Sequence, residues 1–312
     1  MFHANLIART KQIKFATGVM CLPQYHPAVQ AGQAAMFDHL SKGRFIMGVG
    51  PGGLASDFEL FGVMDKDRME MMEESLEMMI ELWTTEPPYK MHGKHWTIDM
   101  KEWTHHDIKL GYVPKPYQDP YPPVAISAMS PHSGSLKFAG SKGYIPVSAN
   151  FVATWSVETH WPAYCEGAKA GGITPNSEDW RVARSIYVAD TDQEAEEFVK
   201  SPGGAYDYYY DYLFQIFERS DYKAPFVANR DDDPAKLTPQ GIRDACTIYG
   251  SPETVANKIL ELRKRIGDFG TVLYAAHDWQ DVGAMKKSMT MFAEEVMPRV
   301  NSKLDSKQAS AG

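Results

Sequence analysis

The stretch GRFIMGVGPGG, residues 43–53, contains Gly48-Val49-Gly50-Pro51-Gly52-Gly53 and fits G-x-G-x-x-G letter for letter. In a dinucleotide-binding fold those glycines end the first strand and a helix starts inside the turn. An acidic residue then closes the second strand about 20 residues on. Here LASDFELFG follows the glycines, and the obvious helix begins only near residue 66. The position where the acidic strand end belongs falls inside that helix. Pro51 also lacks an N–H that a phosphate cradle would use. The context therefore argues against the dinucleotide reading. It favours a loop at the end of a barrel strand, where glycines let a flat ligand lie close to the backbone.

Outward from this stretch, strand-like runs alternate with amphipathic helices. The strands are KFATGVMCL (14–22), RFIMGV (44–49), PVAISA (123–128), YIPVSA (144–149), RVARSIYVA (181–189) and TVLYAA (271–276). PAVQAGQAAMFDHL (27–40) reads as a helix stopped by Gly43. Met69, Met72, Leu76, Met79 and Trp83 form one apolar stripe over 69–83. Further helices are expected near 133–140, near 155–170 and from Asp192. Helix 252–266 opens with Ser251 as N-cap and Pro252 at its first position, with Val255, Ile259, Leu262 and Ile266 as its stripe. A last helix carries Val282, Met285, Met289, Phe292 and Val296. Residues 84–121 read as a long loop holding a small hairpin.

Strands alternating with helices predict a mainly parallel sheet, open or closed into a barrel. A (β/α)8 barrel needs eight strands, and six are plain. The opening MFHANLIARTKQI reads as the end of a helix. The expected architecture is an α/β TIM (β/α)8 barrel lacking its first one to two βα units, with one domain over 1–300 and a disordered polar tail over 301–312.

The chain has 312 residues, 44% hydrophobic, with a formal net charge of −8. That charge argues against nucleic acid or an anionic membrane as partner, since both need a basic face. Cys21, Cys165 and Cys246 are widely spaced and odd in number, which predicts a reducing cytoplasmic setting and no disulfide framework. No apolar run approaches the ~18 residues of a membrane span.

The stretch GVMCLPQYHPAVQAGQAAMFDHLSKGRFIMGVGPGGLASDFELFG (18–62), with ISAMSPHSGSLKFAGSKG (126–143), YGSPETVANKI (249–259) and FGTVLYAAHDW (269–279), resembles the bacterial luciferase-like flavin monooxygenases. The combination is most similar to their limonene-monooxygenase-like branch. The resemblance implies a TIM barrel holding reduced FMN (FMNH2) at the C-terminal ends of the strands. It implies activation of O2 as a flavin C4a-(hydro)peroxide and insertion of one oxygen into a small hydrophobic substrate. An NAD(P)H:flavin reductase supplying FMNH2 and a homodimer are implied as partners.

By the same resemblance, Thr17 and Gly18 pack against the isoalloxazine, and Gly50, Gly52 and Gly53 line its floor. Ala128, Met129, Ser130 and Ser133 take the ribityl chain and phosphate, a role that a helix N-terminus suits. Luciferases carry an arginine where Pro51 stands, and Arg184 could compensate for it. His26 and His277 are the candidate catalytic residues, His277 with Asp278 and Trp279 beside it. The family's catalytic histidine, near the end of its second strand, has no counterpart here. Two alternatives stay open: F420-dependent hydride transfer on the same barrel, and a non-catalytic truncated flavin-binding fragment.

Three other features have plainer readings. YDYYYDYLFQIF (206–217) is a substrate lid or, more simply, a packed helix. The histidines of HGKH (92–95) and HHD (105–107) lack metal-ligand spacing. DTDQEAEEF (190–198) is a solvated acidic face.

Overall fold

All six residues of Phe45–Gly50 are buried, as expected for a parallel strand covered on both faces. The computed structural model describes residues 2–277 and 280–311, and the chain divides into two compact units, 1–127 and 128–312.

In the first unit, helix α1 (Phe2–Ile7) leads to the short strands β1 (Phe15–Ala16) and β2 (Met20–Cys21). These are followed by α2 (Pro27–Ser41), β3 (Phe45–Gly50), α3 (Ala55–Leu60) and α4 (Arg68–Thr84). The hairpin of β4 (Lys90–His92) and β5 (Thr97–Asp99) comes next, then β6 (Val124–Ala128). The run 14–22, expected as one strand, is two pieces on one side of β3: Phe15 pairs with Phe45 and Met20 with Val49, both parallel. Between them the Gly18–Val19 peptide is cis. β6 lies on the other side of β3, with Met47 opposite Val124.

The helices follow their sequence signals. Asp67 caps α4 by accepting from the N–H groups of Met69 and Glu70. The α4 stripe is buried at Met72, Leu76, Met79 and Trp83, and Met71, Met78 and Leu82 widen it. α2 turns small residues, Ala31, Ala34 and Ala35, inward, and Trp83 Nε1 donates to the Ala31 carbonyl at 3.2 Å. The hairpin expected within 84–121 is pinned to α4. The Glu74 carboxylate accepts from three successive N–H groups, those of Lys94, His95 and Trp96.

The second unit is built on β8. Its strands are β7 (Ile145–Ser148), β8 (Arg181–Val188), β9 (Thr247–Gly250) and β10 (Thr271–Ala275). All pair parallel to β8: β7 through Val147 opposite Arg181, β10 from Thr271 opposite Arg181 to Ala275 opposite Ser185, and β9 from Thr247 opposite Ser185 to Gly250 opposite Val188. β9 was not among the expected strands. It has four residues and follows its preceding helix with no turn signal between. The helices are α5 (Gly134–Lys142), α6 (Thr154–Val157), α7 (His160–Gly171), α8 (Asp192–Val199), α9 (Ala205–Arg219), α10 (Pro239–Cys246), α11 (Pro252–Ile266), α12 (Val282–Met291) and α13 (Met297–Ala311).

The α11 stripe Val255, Ile259, Leu262 and Ile266 is buried as expected. The last helix differs. A π-helical turn, Phe292–Val296, separates α12 from α13. Val282 and Met289 are exposed, while Met285 and Ser288 face the core. Ser288 belongs there because its hydroxyl accepts the Val188 N–H at 2.7 Å and meets the Tyr274 hydroxyl at 2.8 Å. The stretch expected as a disordered tail, 301–312, is helical as far as Ala311. Val296, Val300 and Leu304, one turn apart, pack it onto the apolar cluster of α11.

α5 and α7 touch backbone to backbone. A Cβ on Gly167 would lie 1.9 Å from the Lys137 carbonyl oxygen, and one on Gly140 would lie 2.1 Å from that of Tyr164. Gly167→Ala must push the helices apart and is expected to cost about 1–3 kcal/mol, the usual range for overpacking. A Cβ on Gly32, inside α2, would meet nothing within 4 Å, so Gly32→Ala should gain roughly 0.5–1 kcal/mol from helix propensity. Urea unfolding of both variants checks the pair, and equal effects would contradict the packing argument.

Candidate functional site

Two groups of polar and glycine residues gather at strand ends, one in each unit. In the first unit the glycine run serves close strand packing. A Cβ on Gly48 would lie 1.8 Å from the Thr17 carbonyl oxygen, and one on Gly50 would lie 2.8 Å from Val19 Cγ2. Thr17 Oγ1 donates to the Gly48 carbonyl at 2.8 Å, tying the break between β1 and β2 to β3. Thr17, Gly18 and Gly50 are thus brought together. Gly18 has nothing within 4 Å where a side chain would point, an open backbone surface that suits a flat ligand. Gly52, with φ of +85°, packs beside Phe58 and Cys21, and Gly53 is exposed. Burial and the nearby Asp57 carboxylate push the Cys21 thiol up, so it stays protonated at neutral pH.

His26 is the N-cap of α2. Its Nδ1 accepts from the Ala28 N–H at 3.2 Å, and its ring meets Trp96 edge-on at 5.6 Å. Geometry gives it the helix-entry role. The His92 and His95 side chains answer carboxylates, Asp99 and Glu70. Among the described residues, no group of three or more His, Cys, Asp or Glu is placed to hold a metal ion.

In the second unit, the loop after β6 carries Ala128, Met129, Ser130 and Ser133. The Ala128 carbonyl accepts from the Ala149 N–H at 3.1 Å, and Met129 packs on the α11 cluster. Ser133 is the N-cap of α5, yet its side chain makes no capping hydrogen bond; its Oγ lies 2.8 Å from Ser135 Oγ. Gly134 opens the helix with nothing within 4 Å of where a Cβ would stand. A helix start without a side-chain cap, flanked by hydroxyls and reachable past a glycine, has the donor set for a phosphate.

His277, after β10, sits in a network that fixes its proton. Ser185 Oγ accepts from the Tyr210 hydroxyl at 2.7 Å and from Asn150 Nδ2 at 3.1 Å. Both lone pairs are then used, so the Ser185 proton points to His277 Nε2, 2.7 Å away. Thr247 Oγ1 donates in turn to the Tyr210 oxygen at 3.1 Å. Nε2 is therefore an acceptor and the ring proton is on Nδ1, which has no partner among the described residues. Tyr209 stacks on the ring at 4.0 Å, and Tyr206 meets it edge-on at 4.6 Å. Burial lowers the His277 pKa to about 4. Asp278 and Trp279 lie outside the described residues.

The tyrosine run is α9, and its Tyr206, Tyr210 and Phe217 are packed into the unit, the plainer of its two readings. Arg184 is fully buried. Its Nη1 donates to the Ala183 carbonyl at 3.1 Å, while Nη2 has no partner. Ser185, Asn150 and His160 join this unit's polar networks without any sequence signal: a serine inside a strand, an asparagine after one and a histidine opening a helix are ordinary spellings.

His160 is the second buried histidine, lowered to about 4 mainly by burial. Both histidines take a proton more readily unfolded, near the ordinary 6.5, than folded. The unfolded chain therefore binds the extra protons between those values. Stability is complete above pH 6.5 and falls with acid, by up to about 3 kcal/mol per histidine. Urea unfolding between pH 7.5 and 5 should show this loss; a flat profile would contradict it.

Comparison with known proteins follows the same lines. The family model described as luciferase-like monooxygenase matches residues 1–268. The chain is 30% identical to 2,5-diketocamphane 1,2-monooxygenase 1 of Pseudomonas putida over 298 residues, covering 93% of this chain and 81% of that protein. It is 30% identical to limonene 1,2-monooxygenase of Rhodococcus erythropolis over 308 residues, covering 97% and 73%. The oxygenating constituent of 3,6-diketocamphane monooxygenase from Pseudomonas putida, a type II Baeyer-Villiger monooxygenase solved with FMN, superimposes with a TM-score of 0.82 at 29% identity, covering 96% of this chain and 83% of that one. An F420-dependent secondary alcohol dehydrogenase shares the fold at a TM-score of 0.70 and 20% identity.

Proposed function

The chain belongs to the luciferase-like monooxygenase family, has its TIM-like α/β barrel fold, and is an enzyme of that kind; we propose that it uses reduced FMN and O2 to insert one oxygen atom into a small hydrophobic ketone. The observation that carries the cofactor is the start of α5, where Ser133 leaves the helix without a side-chain cap and Gly134 leaves it approachable. Ser130, Ser133 and the first N–H groups of α5 would hold the FMN phosphate. Bound and reduced, FMN supplies the oxygen-activating chemistry. No helix among the described residues is long and apolar enough to cross a membrane. The reading extends to a homodimer and to a separate NAD(P)H:flavin reductase, the second of which the FMN-bound relative supports as the oxygenating constituent of its monooxygenase.

His277 would act on the substrate side. Its lone pair at Nε2 is engaged by the Ser185 hydroxyl, so it does not serve as a base. Its Nδ1–H is a neutral donor, able to hold a ketone oxygen and to stabilise negative charge growing there. Burial by Tyr206 and Tyr209 excludes water and strengthens that hydrogen bond. A neutral donor in an aromatic wall can hold a ketone oxygen, and the diketocamphane relatives are what favour a ketone over other neutral acceptors.

Chemically reduced FMN, 18O2 and a bicyclic ketone, mixed with the purified protein, should yield a lactone carrying one 18O. Turnover of F420 with alcohol oxidation and no label would favour the hydride-transfer alternative. His277→Phe should keep FMN affinity within about twofold and lower lactone formation by roughly 10²-fold, the typical cost of one donor to developing charge. Equal loss of FMN affinity would remove His277 from the substrate side.

A further inference from the structure

We propose that His160 is a positioning residue for the phosphate-binding loop, the last link of a buried hydrogen-bond chain that starts at Trp180 and ends on the Ser130 carbonyl; this rests on the FMN reading above. The direction of every link follows from what each atom can do. The Trp180 indole is donor only, and Nε1 gives its proton to Ser148 Oγ at 3.0 Å. The Ser148 hydroxyl lies 2.9 Å from His160 Nδ1. The Ser130 carbonyl is acceptor only, and His160 Nε2 lies 3.1 Å from it. Nε2 must therefore carry the ring proton, Nδ1 must accept, and the Ser148 proton must point to it. Only one tautomer of the neutral ring satisfies the whole chain.

Trp180, Ser148 and His160 are all completely buried, so each misdirected proton would leave an unpaired polar atom in the interior. The ring's lowered basicity agrees with this arrangement. The residue before it holds the other side of the loop: Thr159 Oγ1 accepts from the His132 N–H at 2.7 Å and donates to the Ser156 carbonyl at 2.7 Å. His132 has φ of +52°, a left-handed conformation that a non-glycine residue adopts at a cost. Two consecutive side chains at the start of α7 thus grip the loop by a carbonyl and an N–H two residues apart. The Ser130–Ser133 turn is held in a shape it would not choose alone, and that shape aims the first N–H groups of α5.

The chain needs one side chain that accepts at one end and donates at the other. Glutamine meets that requirement and leucine does not. Affinities of the folded protein for FMN and for riboflavin, read by flavin fluorescence quenching, separate phosphate positioning from general damage, because riboflavin has no phosphate. His160→Leu should weaken FMN by tenfold or more and riboflavin by less than twofold, and His160→Gln should restore FMN affinity to within about threefold. Ser148→Ala, a smaller change for use should His160→Leu not fold, should weaken FMN several-fold by leaving Nδ1 without its donor. Circular dichroism and the thermal midpoint confirm that each variant compared is folded. Equal loss for both ligands, or no loss in folded His160→Leu or Ser148→Ala, overturns the proposal. Wild-type protein that binds FMN no better than riboflavin overturns the phosphate reading itself, and the positioning role with it.

Discussion

A serine hydroxyl has one proton to give, and in the second unit two buried serines each give it to a buried histidine. Ser185 receives two donors and Ser148 one, and each passes its hydrogen to an imidazole nitrogen, at Ser148 because the Ser130 carbonyl claims the other ring N–H. In both cases the ring is neutral and of one tautomer, with the remaining N–H pointing away from the serine. At His160 that N–H is used inside the protein, on the Ser130 carbonyl. At His277 it has no partner among the described residues, and the proposed function gives it to the substrate. One rule of hydrogen-bond satisfaction, applied to two buried hydroxyls, fixes the tautomer of both rings.

Close backbone approach is the second recurring device. In the first unit Gly48 and Gly50 let the interrupted edge formed by β1 and β2 lie against β3, and in the second Gly140 and Gly167 let α5 press on α7. This is why G-x-G-x-x-G misleads as a spelling. Glycine is required wherever backbone meets something closely, and here the partner of Gly48 is the Thr17 carbonyl rather than a pyrophosphate.

Much of the fold was legible because it depends on local period. The buried stripes of α4 and α11 and the cap at Ser251 follow from spacing and residue type alone. The misses are equally physical. β9 has four residues and no punctuation. The stripe of the last helix shifts where the π turn intervenes and where Ser288, polar but fully paired, takes a core position. For the candidate site, resemblance marked the glycines and the Ser130–Ser133 loop in the sequence. It was illegible at Ser185, Asn150 and His160, because the Ser185–Asn150 bond spans 35 residues of chain and the His160–Ser130 bond spans 30. Hydrogen bonds of that reach leave no periodic trace in a sequence.

The state of the histidines also bears on which chemistry the second unit supports. Hydride transfer from an alcohol needs a base for the hydroxyl proton, so a histidine serving it must keep an open lone pair and a basicity near neutrality. His277 has neither: Nε2 is engaged by Ser185, and burial holds its pKa at about 4. His160 is likewise engaged at both nitrogens, and the neighbouring Arg184 charge adds to the burial that keeps it neutral. Arg184 is itself a fixed cation with no proton to exchange at neutral pH. Under the proposed function, the His277 N–H is the group able to stabilise electron density building on a substrate oxygen. Neither buried histidine of this unit is placed as the base that alcohol dehydrogenation would need.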